Sequence, residues 1–285
     1  MKILHICAGW QEWNGAANIA RMLMDEQRRE GHEVSFSTWA GIHQLRSADE
    51  VWIHCGWLPC LWWAALLGRN VHWMPEACYD PIRRAYHGWK KTLVGPIERF
   101  CLRRAKALVA TCESEKGWIE SYLGRRCPPI ELTDIKRFFK LSNLNLVNPV
   151  NPVKKDLNLL YLGRRHPLKG VEYLETAVRQ IEKNSAYSAS SRLCVKYISS
   201  VFGDELEKVW DWCAILVLPT ISENFGLVIA EALERGKRVI TTDGAPAWGD
   251  GNDYGGRLIY LKGYRDGSDE QRVELLKKAI ERICG

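Results

Sequence analysis

The stretch that decides the fold of this chain is Ser222-Glu223-Asn224-Phe225-Gly226-Leu227-Val228-Ile229-Ala230-Glu231. It follows an apolar run, residues 213–218, which predicts a buried strand, and then Pro219-Thr220, which predicts a break. The residues from Gly226 onward have helical character. The stretch therefore predicts a strand–loop–helix junction of the kind found in parallel α/β sheets.

Two carboxylates frame this junction, Glu223 on the loop and Glu231 about a turn and a half inside the helix. The predicted first turn has free N–H groups at Phe225, Gly226 and Leu227, and such a helix terminus attracts anions. A ligand with a phosphate and several hydroxyls would fit, because the amides would bind the phosphate and the carboxylates would accept hydroxyl hydrogens. The alternative is that both glutamates are ordinary surface charges near a helix start, where acids are favoured.

A second loop carries two cations. The predicted strand 157–162 ends in Gly163-Arg164-Arg165-His166-Pro167-Leu168-Lys169-Gly170, and a helix with apolar residues at helical spacing follows it. Arg164 and Lys169 flank the loop, and their spacing lets both converge on one diphosphate. The alternative is that both cations are solvated.

The order of residues around the first junction resembles a known donor site. The pattern Glu-x-Phe-Gly-Leu-x-x-x-Glu-Ala-Leu at 223–233, then Gly236, a predicted strand at 238–242 and Asp243-Gly244-Ala245-Pro246, is similar to the signature of glycosyltransferase family 4. The resemblance implies the GT-B fold, an α/β architecture of two Rossmann-like domains with parallel sheets and a donor cleft between them.

The resemblance also implies roles for individual residues. Arg164 and Lys169 match the family's Gly-Arg…Lys-Gly loop and would stabilise the leaving nucleoside diphosphate. Glu223 would hold sugar hydroxyls and Glu231 the ribose hydroxyls. The remaining donor-binding residues would be Gly15, Asn224, Phe225, Gly226 and Leu227.

The beginning of the chain predicts a second parallel sheet. A strand at 2–7, a glycine-containing loop, a helix at 17–29 and a strand at 33–38 follow one another. Gly15 lies in the first loop after a strand, where such sheets place ligands, and it serves either a ligand contact or a tight turn. The resemblance favours the ligand, although Asn14-Gly15 stands where many relatives have Gly-Gly.

The loop at 75–81 is similar to one that faces the acceptor in this family and often carries His or Arg. Glu76 falls at that position, and a carboxylate there could take the acceptor's hydroxyl proton or bind its hydroxyls. His72, four residues earlier in a predicted strand, is expected to be structural.

Positive charge is concentrated in one region. The chain has a net charge of +6, and residues 82–106 hold eight Lys/Arg and one Glu, a local +7. The sequence predicts an amphipathic helix at 90–106 with Leu93, Ile97, Cys101 and Leu102 on its apolar stripe. Three interpretations compete: a solvated helix packed on a core, a patch for an anionic membrane surface, and nucleic-acid binding, which no motif supports.

The length of 285 residues is enough for two domains. Residues 141–155, with four Asn and two Pro, predict a linker between an N-terminal acceptor-side domain at 1–140 and a C-terminal nucleotide-sugar-binding domain at 156–285. Ten scattered cysteines without a Cys-x-x-Cys pair predict a reducing, cytoplasmic setting and no metal site. No apolar run approaches the ~20 residues of a membrane-spanning helix.

The resemblance implies a retaining, metal-independent glycosyltransferase without a cofactor. It would move a hexose from a nucleoside-diphosphate sugar, UDP-linked first and GDP-mannose next, to a glycan or lipid-linked acceptor. Bacterial lipopolysaccharide or another envelope polysaccharide would be the product, made in the cytoplasm or at the inner face of the membrane. The alternative is a non-catalytic nucleotide-sugar or glycan-binding protein with a trimmed fold, since the connection at 183–192 is short. An oxidoreductase is disfavoured because no Gly-x-Gly-x-x-Gly follows either first strand.

Overall fold

The computed structural model describes residues 1–7, 15–55, 59–141, 156–183 and 192–284. The chain divides into two compact units, Met1–Ile135 and Lys136–Gly285. Residues 136–140, at the end of the predicted first domain, group with the second unit. All but the first residue of the predicted linker, and most of the short connection at 183–192, lie outside the described residues.

The first unit is built on a six-stranded parallel sheet in the order β2-β1-β3-β4-β5-β6. The strands are β1 (Lys2–Cys7), β2 (Glu33–Ser37), β3 (Glu50–His54), β4 (Val71–Met74), β5 (Ala107–Ala110) and β6 (Ile130–Leu132). The helices are α1 (Gly15–Arg29), α2 (Ile42–Ser47), α3 (Pro59–Leu67), α4 (Pro81–His87), α5 (Trp89–Leu102) and α6 (Glu113–Leu123).

Helix α1 packs its apolar stripe inward. Ile19, Ala20, Leu23 and Met24, which the helical spacing predicts to share a face, are all buried. A cluster of apolar side chains from β1, β3, β4 and β5 forms a core with α2, α3, α5 and α6. The expected parallel α/β organisation of this half of the chain is confirmed.

The second unit contains a five-stranded parallel sheet in the order β11-β10-β9-β7-β8. The strands are β7 (Asp156–Leu162), β8 (Arg192–Ile198), β9 (Ile215–Leu218), β10 (Arg238–Thr242) and β11 (Leu258–Leu261). The helices are α7 (Val171–Lys183), α8 (Gly203–Trp212), α9 (Leu227–Glu234) and α10 (Asp269–Cys284).

Local signals place the helices of this unit well. Ser268 with Gln271 three residues later predicts a capping box at the start of α10, and the capping box is present: Gln271 N donates to Ser268 Oγ at 3.3 Å, and Ser268 N donates to Gln271 Oε1 at 2.8 Å. Along α7 the apolar residues at helical spacing, Val171, Leu174, Val178 and Ile181, are all buried.

Two of the four residues predicted for the buried apolar stripe of α5 are exposed, so this prediction is wrong for half of the stripe. Cys101 and Leu102 are buried, but Leu93 and Ile97 are 68% and 56% exposed. The buried face of α5 differs from the predicted one and includes Glu98, which accepts a hydrogen bond from the Tyr122 hydroxyl at 2.7 Å. An acid hydrogen-bonded in the core is not visible to a hydrophobic pattern.

Candidate functional site

Three loops meet at the carboxyl ends of neighbouring strands in the second unit. Residues 163–170 follow β7, residues 219–226 follow β9 and residues 243–249 follow β10. Parallel α/β sheets bind ligands at this edge. Of the residues predicted for the donor site, six lie on these loops and Leu227 lies directly after the second; the six are Arg164, Lys169, Glu223, Asn224, Phe225 and Gly226.

Hydrogen bonds join the three loops. The Leu168 carbonyl accepts from Ile221 N at 2.8 Å and from Thr220 Oγ1 at 3.1 Å. The Gly244 carbonyl accepts from Glu223 N at 2.8 Å. The backbone that carries Glu223 is therefore fixed from both sides.

Lys169 and Glu223 form a hydrogen-bonded ion pair through Nζ and Oε2. Their side chains are only 17% and 15% exposed, so the pair is partly shielded from solvent. The sequence predicted both residues as part of a donor site, and the structure places them in direct contact.

Gly226 is the N-cap of α9 and has φ 75° and ψ 63°, in the left-handed region. A Cβ on Gly226 would lie 3.0 Å from Ile229 Cδ1 and 3.4 Å from Glu223 Cγ, so the left-handed backbone and the tight contact with Ile229 both favour glycine. Within the described residues no side chain caps this helix. The helix α9 begins at Leu227, one residue after the Gly226 start that the sequence predicts. In the loop before it, the Asn224 N–H donates to Glu223 Oε1 at 3.0 Å.

Phe225 anchors the loop in the core. Its side chain is buried, its carbonyl accepts from Trp248 Nε1 at 2.5 Å, and the two rings lie 5.2 Å apart between centroids. The Phe139 ring stacks on it at 6.3 Å. Donor binding through the Phe225 backbone N–H stays a prediction, and no local pattern indicated Trp248 as the support of the Phe225 side chain.

Glu231 is half-buried on α9. Burial raises the pKa of its carboxyl above the ordinary value, and the nearby Arg235 partly offsets the effect. Arg164 is exposed, and its carbonyl accepts from the Tyr161 hydroxyl at 2.7 Å. The predicted convergence of Arg164 and Lys169 on one diphosphate remains a prediction.

The two remaining candidates lie in the first unit. Gly15 is exposed and begins α1, and the loop residues before it lie outside the described residues. Glu76 follows β4, is 7% exposed and has φ 57°. Its Oε1 lies 3.6 Å from His54 Nδ1, and burial, with the Glu115 charge next, raises the pKa of Glu76 well above its usual range.

Two negative findings apply to the described part of the chain. It contains no group of three or more His, Cys, Asp or Glu that could hold a metal ion. No helix among the same residues has the length and apolar character needed to cross a membrane.

The sequence profile of the family described as glycosyl transferases group 1 matches residues 156–262. This range covers β7 to β11 and all three loops, so the matched part of the second unit is similar to the group 1 glycosyl transferases. The predicted resemblance is confirmed over this range.

Among curated proteins, the chain is similar to an uncharacterised glycosyltransferase of Methanocaldococcus jannaschii, with 26% identity over 137 residues. That match covers 34% of this chain and 35% of the relative, so it spans about a third of the relative's length.

Solved structures match over nearly the whole chain. Sucrose-phosphate synthase from Thermosynechococcus elongatus has a TM-score of 0.69 at 15% identity, covering 99% of this chain and 89% of that one. WaaG, a glycosyltransferase involved in lipopolysaccharide biosynthesis, has 0.63 at 13%, covering 98% and 90%. HepE of Anabaena, solved with UDP and glucose, has 0.60 at 14%, covering 99% and 90%. At these identities the likeness concerns the fold, and it confirms the predicted GT-B class with two Rossmann-like, parallel-sheet units.

Proposed function

We propose that this chain is a retaining glycosyltransferase that moves a hexose from a nucleoside-diphosphate sugar to a glycan or lipid-linked acceptor. The observation that carries the proposal is the Lys169–Glu223 ion pair beside the glycine-capped start of α9. A cation for a phosphate, a carboxylate for hydroxyls and a helix N-terminus for an anion are held together there.

The site accounts for catalysis without a nucleophile from the enzyme. Lys169, Arg164 and the amides at the start of α9 stabilise the charge that develops on the leaving phosphate, which is usually the largest catalytic contribution. Glu223 orients the sugar through its hydroxyls, and Glu231 accepts from the ribose hydroxyls. These cations and amides neutralise the phosphate charge that a metal ion neutralises in other enzymes, so transfer is proposed to be metal-independent.

UDP-linked hexose is the favoured donor and GDP-mannose the next. The presence of UDP and glucose in the HepE structure supports this order. Glu76 is proposed to contact the acceptor, and the role of WaaG in lipopolysaccharide biosynthesis supports an envelope glycan as product. Transfer would take place in the cytoplasm, at the inner face of the cell membrane.

Association with an anionic membrane surface is proposed through one face of α5. Leu93, Ile97 and Phe100 are 68%, 56% and 55% exposed, and their spacing places them on one side of the helix. Arg103 and Arg104, directly after α5, are exposed as well, and the 82–106 segment carries +7. Apolar side chains flanked by cations are what an anionic lipid surface attracts.

The test is a turnover assay in EDTA. The chain is incubated with UDP-, GDP- and ADP-hexoses and a lipid-linked glycan fraction, and nucleoside diphosphate release and glycan product are measured. Transfer from one donor, with the anomeric configuration kept in the product's proton NMR spectrum, is expected. Lys169→Ala and Glu223→Ala should lose most of it while remaining folded.

Three outcomes would contradict the proposal. Inversion of the anomeric centre would refute retention, and activity restored only by a divalent ion would refute metal independence. Donor binding without turnover for any acceptor would favour the non-catalytic binding protein.

A further inference from the structure

A chain of buried polar side chains runs from α1 through the sheet of the first unit to Glu76. His5 Nε2 lies 2.7 Å from Gln27 Oε1, and His5 Nδ1 lies 3.0 Å from His54 Nε2. His54 Nδ1 then faces Glu76 Oε1 at 3.6 Å. His5 and His54 are fully buried, and Gln27 and Glu76 are 9% and 7% exposed.

With the Gln27 amide oxygen facing His5, the hydrogen bonds set the position of each proton along this chain. The Gln27 oxygen can only accept, so His5 Nε2 carries a hydrogen and donates it. A neutral His5 then presents a lone pair at Nδ1, which accepts from the Nε2–H of His54. A neutral His54 in turn presents a lone pair at Nδ1, and that lone pair points toward Glu76.

Both imidazoles are neutral because they are buried. Burial, with the charge of His54 as the next cause, lowers the pKa of His5 to about 3, and burial lowers the pKa of His54 to about 3. An ionised Glu76 would therefore place a second set of lone pairs against His54 Nδ1. Within the described residues neither Nδ1 nor Oε1 has a hydrogen-bond partner. A proton on Oε1 satisfies both atoms after a small side-chain rotation, since 3.6 Å is longer than a hydrogen bond.

We propose that Glu76 is a neutral, protonated acid in the resting protein, that its Oε1 donates to His54 Nδ1, and that His54, His5 and Gln27 are positioning residues. Two other charged groups influence Glu76. Glu115 on α6 favours the neutral form, and Arg83 on α4 opposes it less strongly.

The backbone at Glu76 and Ala77 has an unusual conformation that a buried carboxylate stabilises. Glu76 and Ala77 both have φ 57°, a conformation that is strained for a residue other than glycine. Glu115 secures the turn, because its Oε1 accepts from Ala77 N at 2.6 Å and its Oε2 accepts from Thr111 N at 2.7 Å. A strained turn that a buried carboxylate holds in place marks a position where the direction of the side chain matters.

With its proton directed to His54, Glu76 keeps Oε2 as an acceptor for a hydroxyl of a sugar. Glu76 would then orient the acceptor and would not remove its proton. This role toward a sugar rests on the proposed function, whereas the proton on Oε1 does not.

Infrared spectroscopy of the whole chain tests the proton directly. At pH 7 we expect a protonated-carboxyl band that disappears in Glu76→Gln. In His54→Leu the band should persist and move to the higher frequency of an unbonded acid, and in Gln27→Leu it should move in the same direction by less. The surface variant His43→Leu should leave it in place. The inference would be overturned if no such band were present at pH 7, or if the frequency of the band were the same in His54→Leu as in the wild type.

Activity supplies the second reading. Gln can donate to His54 Nδ1 as the protonated acid does, so Glu76→Gln should keep kcat/KM within about tenfold, or about 1.4 kcal/mol, of the wild type. Loss of nearly all activity in a folded Glu76→Gln protein would overturn the orienting role. Absence of transfer in the wild type would refute the proposed function and leave the infrared result intact.

Discussion

Lys169 and Glu223 form an ion pair that joins two loops of the second unit. Lys169 comes from the loop after β7 and Glu223 from the loop after β9. A donor with its phosphate on Lys169 and its hydroxyls on Glu223 must break the bond between these two side chains and replace it with its own contacts to each. The ion pair thus balances the two charges and sets both side chains near the positions proposed for the bound donor.

We expect strong coupling between these two residues. Removing either one leaves a poorly solvated charge without this partner, whereas removing both leaves neither charge. The free energy of unfolding of the Lys169→Ala/Glu223→Ala double variant should therefore fall by less than the sum of the single variants, with a coupling on the order of 1–3 kcal/mol. Urea unfolding of the four proteins measures it. The more exposed Arg165–Glu175 pair in the same unit is the control, expected at about 0–1 kcal/mol. Equal coupling in the two pairs would contradict the special position of Lys169 and Glu223.

Gly226→Ala tests the requirement for glycine at the start of α9. We expect it to lower stability by about 1–3 kcal/mol and to weaken nucleotide binding, since the residue would be strained and its Cβ would press on Ile229 and Glu223. Gly236→Ala is the matched control: its φ is 69°, close to the 75° of Gly226, but a Cβ there would meet no atom within 4 Å. The two variants are compared by thermal unfolding and by calorimetry. If they had the same effect on binding, the close approach at Gly226 would have no role.

Glu231 should make the stability of the chain depend on pH. Its folded pKa is raised, so the unfolded state loses its proton first, at about pH 4.3, and stability declines as the pH rises from there through the folded pKa. The unfolding free energy of the wild type minus that of Glu231→Gln should therefore fall as the pH rises through this range, and the variant should be no less stable than the wild type at pH 7. The substitution should also weaken nucleotide binding, because an amide oxygen accepts a hydrogen bond from a hydroxyl less strongly than a carboxylate does. A wild type that gains stability relative to the variant as the pH rises would show that the sign is wrong.

The exposed face of α5 should bind anionic lipid. Ile97→Ser should reduce co-flotation with phosphatidylglycerol vesicles at low salt, and the triple change of Leu93, Ile97 and Phe100 to Ser should abolish it. Ile42→Ser is the matched control, since Ile42 is also 56% exposed and lies outside the basic segment. Phosphatidylcholine vesicles should bind weakly throughout. Undiminished flotation of the triple variant would exclude this face as the membrane contact.

Much of the fold followed from local patterns. The strand at Lys2–Cys7, the helix at Val171–Lys183 and the capping box at Ser268 were predicted correctly because periodicity and capping depend on residues close in sequence. Side-chain contacts between strands were not predictable in the same way. His5 and His54 meet because β1 and β3 pair in a register that sets Cys7 opposite His54, and no local pattern encodes that register.

The candidate site was predictable as a set of residues but not as a geometry. Motif order identified Lys169 and Glu223, while their contact depends on loop hydrogen bonds through the Leu168 and Gly244 carbonyls. The orientation of α5 was mispredicted because burying Glu98 depends on a hydroxyl from another helix.

The most direct measurement of the central claim is a calorimetric titration of the purified chain with UDP, GDP and ADP in EDTA, repeated on Lys169→Ala. A nucleotide-sugar transferase should bind one of these diphosphates, and the variant should bind it at least about tenfold more weakly, a difference of about 1.4 kcal/mol. Binding of none of the three, or equal binding by wild type and variant, would contradict the assignment of the loops after β7 and β9 as the donor site.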